Sequence, residues 1–83
     1  MYYVYFLKSK MDLGVYIGVT ENLSRRVEEH NRGYSKATKP RRPLELIYHE
    51  KYNKKEEAYK REFYLKSPKG YKEKLRIIKD ING

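Results

Sequence analysis

The chain has 83 residues, with 20 Lys and Arg against 11 Asp and Glu and a net charge of +9. That length supplies one small domain, residues 1–83, with little room for a second core, and that charge points to a polyanionic partner: DNA, RNA or an anionic membrane surface. Cysteine is absent, which excludes a disulfide framework or a thiolate zinc site and fits a reducing cytoplasm; no apolar run approaches the roughly 20 residues of a transmembrane helix, and no signal peptide is expected.

Tyr2 to Lys8 is β-branched and aromatic and reads as a strand buried on both faces. Ser9 to Gly14 carries Asp12 and Gly14 and reads as a hairpin loop, from which Val15 to Thr20 returns as a second strand. Thr20 stands where the N-cap of a first helix belongs. The helix runs to about Asn31, and Gly33 supplies a left-handed stop. Arg32 to Pro43 is polar, basic and proline-bearing, and reads as a loop. Leu44 to Tyr52 alternates, with Leu44, Leu46 and Tyr48 set against Glu45, Ile47 and His49, and makes a third, half-exposed strand. Asn53 with Glu56 resembles a capping box for a second helix ending near Lys66. Ser67-Pro68-Lys69-Gly70 breaks it, and a third helix carries Tyr71, Leu75 and Ile78 at i, i+4 and i+7, with Ile77 and Ile81 beside them. There are no internal repeats. The expected architecture is α+β: a three-stranded antiparallel sheet flanked by about three helices in the order β-β-α-β-α-α. Ten tyrosines against two phenylalanines place hydroxyls in much of the core.

Two helices aim polar groups inward. On the first, Leu23, Val27 and Tyr34 define a buried arc at about 100° per residue. His30 lies inside that arc, Arg26 flanks it, and Arg25 falls on the opposite side, in water. On the second, Ala58, Tyr59 and Leu65 define the inner side, and Glu62 falls between Ala58 and Tyr59. An inward carboxylate costs several kcal/mol unless it is paired or holds a cation. The second strand presents Tyr16 beside the bare backbone of Gly18.

Each of these residues has a structural explanation when taken alone. Tyr5 and Tyr16 can be cross-strand core aromatics, His30 a satisfied core histidine, Arg26 a rim residue, and Glu62 the partner of Arg26. Their order and spacing add a further signal. Tyr3-Val4-Tyr5, eleven residues from Tyr5 to Tyr16, then Tyr16-Ile17-Gly18, then Arg26 four residues before His30, then Glu62 on a later helix, resembles the GIY-YIG nuclease family over residues 2 to about 66. The likeness is greatest to small stand-alone members related to the amino-terminal nuclease domain of the UvrC excinuclease subunit. The first triplet here is Tyr-Val-Tyr rather than Gly-Ile-Tyr, which keeps the tyrosine expected to do chemistry.

The resemblance implies a divalent-metal-dependent endonuclease hydrolysing DNA phosphodiester bonds, with DNA ahead of RNA as substrate, at branched, flapped or damaged sites. In that scheme Glu62 holds one Mg²⁺ or Mn²⁺, whose shell water largely completes. Arg26 clamps the scissile phosphate, Tyr5 serves as base with Tyr16 orienting, and His30 bonds phosphate or Tyr5. A free tyrosine titrates near 10, so a base role needs help from the cation or Arg26. Gly18 gives the backbone room at the nucleic acid. Lys36, Lys39, Arg41 and Arg42 form a basic run suited to backbone contact, and Tyr34 is placed to stack on an unpaired base. Lys69, Lys72, Lys74 and Lys79 read as a solvated face. A non-catalytic nucleic-acid-binding module of the same fold is the alternative, since the chain is too short for its own targeting domain and a protein partner would supply targeting. A protein using its basic face on an acidic partner or membrane is the third reading, and it leaves the recurrence of the five residues unexplained.

Overall fold

Tyr2–Ser9 (β1) is the middle strand of the sheet, and its composition explains why. Val4, Tyr5, Phe6 and Leu7 are four consecutive large side chains with no more than 1% exposure, which a strand achieves only when both its faces are covered. The computed structural model, which describes residues 1–82, provides that cover. Val15–Thr20 (β2) and Leu44–Tyr52 (β3) pair antiparallel with β1 on either side, giving the order β2-β1-β3. Leu23–Asn31 (α1), Lys55–Lys66 (α2) and Tyr71–Asn82 (α3) complete the α+β architecture, with short 3₁₀ turns at Lys39–Arg41 and Pro68–Gly70. No helix among the described residues is long and apolar enough to cross a membrane.

Alternation along β1 divides the core in two. Val4 and Phe6 join Ile17, Ala58 and Leu65 on the face that α2 and α3 cover. Tyr5 and Leu7 join Leu44 on the other face, where Leu23 and Val27 of α1 pack. The simple alternation expected for β3 breaks at a bulge. Phe6 pairs with Tyr48 but Leu7 pairs with Leu46, so Ile47 is the extra residue. Tyr48 therefore changes face and packs edge-on against Phe6, with centroids 5.0 Å apart, instead of following Leu44 and Leu46.

Three local expectations are corrected. The N-cap of α1 is Asn22, whose side chain accepts from the Arg25 N–H at 3.0 Å; the strand consumes Thr20, whose hydroxyl accepts from the Asn22 N–H and shapes the turn into the helix. The capping box at Asn53 does not form, because α2 begins at Lys55 with Lys54 as a cap that makes no side-chain bond. The inner arc of α3 carries Ile77 and Ile78, while Tyr71 and Leu75 are 54% and 45% exposed. An ion pair accompanies that rotation: Glu73, one turn before Ile77, reaches Arg61 of α2.

Arg61 is the centre of a network. It donates to both oxygens of Glu50 at 2.8 and 3.0 Å, and Glu50 also accepts from the hydroxyls of Tyr48 and Tyr52 at 2.6 and 2.7 Å. With Glu73 on the guanidinium as well, β3, α2 and α3 are tied through one side chain. Burial alone would raise the Glu50 carboxyl, but these donors outweigh it and hold it below its ordinary value of 4.5.

Candidate active site

The site is built around Tyr5 on the α1 face of the sheet. Tyr5 pairs across the strands with Gly18, and its ring lies over that glycine. A Cβ at Gly18 would stand 2.5 Å from the Tyr5 hydroxyl oxygen and 2.6 Å from Cζ. The space at Gly18, read from sequence as room for nucleic acid, is filled here by the Tyr5 ring. The ring is 1% exposed, so it has nowhere to retreat.

Leu23 and Val27 seat α1 on this face, and the same face of the helix brings in His30, which is fully buried. The helix ends as the glycine signal implies: Gly33 has φ +85° and donates to the His30 carbonyl. Tyr34 lies beyond that stop and is 67% exposed, so it is not part of the buried arc. His30 Nε2 is 2.9 Å from the Tyr5 hydroxyl and Nδ1 is 2.7 Å from the Thr38 hydroxyl. Burial, then the charge of Arg26, lowers the His30 pKa from 6.5, so the ring is neutral at pH 7. A neutral imidazole has one donor and one acceptor, which leaves two directions for the chain. Either Tyr5 donates to Nε2 and Nδ1–H donates to Thr38, or Thr38 donates to Nδ1 and Nε2–H donates to the Tyr5 oxygen.

Tyr16 of β2 completes a triangle of rings, its centroid 6.4 Å from Tyr5 and 5.2 Å from His30. Arg26 enters from the preceding turn of α1, 33% exposed and donating to Glu29 at 3.1 Å, while Arg25 is 69% exposed. The wheel assignment of the two arginines therefore holds. Glu62 arrives from α2. Ala58 and Leu65 of that helix pack on the opposite sheet face, yet Lys66 Nζ stands 5.5 Å over the Tyr16 ring. The helix therefore runs along the β2 edge and can serve both faces. Glu62 is 20% exposed on its side chain and accepts from Lys66 at 3.1 Å, so its expected partner is Lys66 rather than Arg26. Burial pushes the Tyr5 hydroxyl up to about 12; nearby Arg26 opposes that rise, and Tyr16 and Glu62 add to it.

Among the described residues no three His, Cys, Asp or Glu side chains cluster as a metal cage. Glu62 nevertheless offers what one hydrated cation needs: a half-sheltered carboxylate whose neighbourhood already recruits a positive charge, that of Lys66. A single hard carboxylate suits Mg²⁺, which keeps most of its water.

The basic loop is more engaged than its composition suggests. Arg41 pairs with Asp12 at 3.1 Å, and Arg42 donates to the Lys39 carbonyl at 2.8 Å. Lys36 and Lys39 are exposed and make no ion pair among the described residues. Sequence reasoning missed two neighbours of the site. Lys66 was available from its i, i+4 spacing to Glu62. Thr38 sits in an irregular loop, and no periodicity marks it.

Comparison with known proteins identifies relatives of the whole chain. Residues 1–75 match the family described as the GIY-YIG catalytic domain. The chain is 45% identical over 80 residues to UPF0213 proteins of Staphylococcus aureus strains Mu3 and N315, covering 95% of each. It is also similar to the solution NMR structure of a UPF0213 protein from Bacillus halodurans, at 35% identity and a TM-score of 0.55, covering 95% of this chain and 86% of that one.

Proposed function

The chain belongs to the GIY-YIG catalytic-domain family, which implies an endonuclease-type function, and from that membership we propose that it hydrolyses DNA phosphodiester bonds with the help of one divalent cation. One observation carries the reading: Tyr5, Tyr16, Arg26, His30 and Glu62, drawn from four elements, converge beside the β2 edge. Hydrolysis needs an oriented water and countercharge for the negative charge that grows on phosphorus. Arg26 supplies permanent, forked charge for the scissile phosphate. Tyr16 narrows the space over Tyr5 and orients the attacking water. Tyr5 with a pKa about 12 keeps its proton at pH 7. A base role therefore requires the direction in which Thr38 donates to His30 and Nε2–H donates to the Tyr5 oxygen, favouring its deprotonated form. Glu62 would hold Mg²⁺ or Mn²⁺, which supplies positive charge that lowers the proton affinity of water and phenol alike.

DNA is favoured over RNA, and branched or damaged sites over intact duplex, in a cytoplasmic setting with a second protein supplying targeting. The Lys66–Glu62 pair favours one alternative, a module that binds nucleic acid without cutting it, because Lys66 already neutralises the carboxylate. The test is incubation with labelled linear, flapped and four-way-branched DNA, with Mg²⁺, Mn²⁺ or chelator. The endonuclease cuts with metal and not with chelator. DNA that is retarded but uncut under every condition identifies the binding module instead.

A further inference from the structure

Beyond Arg26 the surface opens into a cleft of about 340 Å³ that the five site residues do not explain. Its walls come from Tyr2 at the start of β1, the β2–α1 junction and the start of α2. They carry three cations, Arg25, Arg26 and Lys55, against the single acid Glu21, with Tyr59 as an aromatic wall. The volume falls within the roughly 300–1,000 Å³ of pockets that take small ligands, about the size of one nucleotide. Tyr59 was read from sequence as an inner residue of α2, but it is 46% exposed, and Lys55 Nζ lies 5.9 Å from its ring centroid.

Helical periodicity links this cleft to the chemistry. At about 100° per residue, Lys55, Tyr59, Glu62 and Lys66 fall within roughly 60° of one another. The face of α2 that offers Glu62 to the site thus offers Tyr59 one turn, about 5 Å, earlier. Arg26 and Tyr59 line the same cleft, so the nucleotide next to a phosphate on Arg26 comes within reach of Tyr59. A base inside a duplex has both faces occupied by its neighbours and shows only its edges, so a tyrosine ring can stack only on a base that has left the stack.

We infer that this cleft is a subsite for one unpaired nucleotide of the cut strand, next to the scissile phosphate. Its base stacks on Tyr59 and its backbone is held by Lys55 and Arg25. The inference rests on the nuclease reading and adds to it the element that distinguishes flapped or frayed DNA from intact duplex. The ring recognises a π-face rather than a particular base, so the subsite discriminates by pairing and not by sequence.

The test places 2-aminopurine, whose fluorescence is quenched by stacking, at the unpaired position of a flapped DNA and at the matching paired position of a duplex. Cutting of both substrates is measured in parallel. Binding of the wild-type chain quenches the flap probe. Tyr59→Phe keeps the quenching, Tyr59→Ala loses it, and Phe63→Ala, on an exposed residue outside the cleft wall, leaves it intact. Tyr59→Ala also lowers the flap-to-duplex ratio of kcat/KM by about tenfold or more, from the typical strength of one base–aromatic stack. Cutting by a wild-type chain that shows no quenching, or an unchanged ratio in Tyr59→Ala, overturns the subsite and leaves the nuclease reading standing. Failure to bind or cut any DNA overturns both.

Discussion

Tyr5 is held from three directions, and each support can be tested separately. Gly18 lies under its ring, His30 holds its hydroxyl, and Thr38 holds His30. We predict that Gly18→Ala forces the ring off its position and costs about 1–3 kcal/mol, the usual range for overpacking, with cleavage lost in the protein that remains folded. Chemical denaturation of both chains measures the first, and a cutting assay at a temperature where both are folded measures the second. Thr38→Val keeps the shape of the side chain but strands the buried Nδ1, at about 1–3 kcal/mol. The two arginines of α1 separate in the same way. Arg26→Ala lowers kcat by about a hundredfold or more, as loss of one charge-stabilising group does. Arg25→Ala, which removes a backbone contact in the cleft and no group at the scissile phosphate, raises KM and leaves kcat within a few-fold of wild type; equal losses of kcat from both would contradict the separate placement of the two arginines. The inward placement of His30 and the edge placement of Arg26 were legible in the sequence because helical periodicity defines them, whereas Tyr5 and Tyr16 were marked only by the order and spacing of motifs that resemble a known family. Thr38 was marked by neither, since an irregular loop has no period and only the fold brings residue 38 to residue 30.

Single side chains also tie whole elements together. Arg61 ties α2 and α3 to β3 through Glu50 and Glu73, and with Ile77 and Ile78 packed on the core, Tyr71 and Leu75 face solvent although their spacing suits burial. The sequence could not show that rotation, because a helix wheel orders residues around an axis and contacts with other elements choose the zero of the angle. The bulge at Ile47 escaped for a related reason: one extra residue reverses every later side chain of β3. The strands and helices themselves were legible almost to the residue. We predict that Glu50→Gln destabilises the fold by about 2 kcal/mol, less than the roughly 3–5 kcal/mol of a fully buried pair. The difference also depends on pH in a definite direction. Glu50 titrates below its ordinary 4.5, so its contribution is fully present above that pH and is lost as pH falls through the lower folded value. Urea midpoints of the two chains should therefore converge on acidification below pH 4.5; a gap that is constant with pH would contradict the network. In the basic loop, Arg41 and Arg42 are held by protein groups, which leaves Lys36 and Lys39 as the residues to change. Replacing both with Gln should weaken DNA binding and reduce the slope of log K against log salt by about one to two.

At the scale of the molecule, a three-stranded sheet serves two purposes. One face and its helices α2 and α3 hold most of the aliphatic core; the other, under α1, holds a smaller leucine-rich cluster together with Tyr5, Tyr16 and the buried His30. α2 belongs to both, since Ala58 and Leu65 anchor it while Glu62 and Lys66 reach the site. A net charge of +9 on 83 residues draws the whole chain to a polyanion without choosing a position on it. Choice falls to the few groups at the β2 edge. Everything proposed for this chain turns on whether Glu62 serves the chemistry or only pairs with Lys66. The measurement that decides is a direct comparison of wild type and Glu62→Ala, with DNA affinity and metal-dependent cutting determined on the same substrate. A Glu62→Ala chain that binds as wild type does but no longer cuts is the predicted result. Cutting that survives the substitution would contradict the site assigned here.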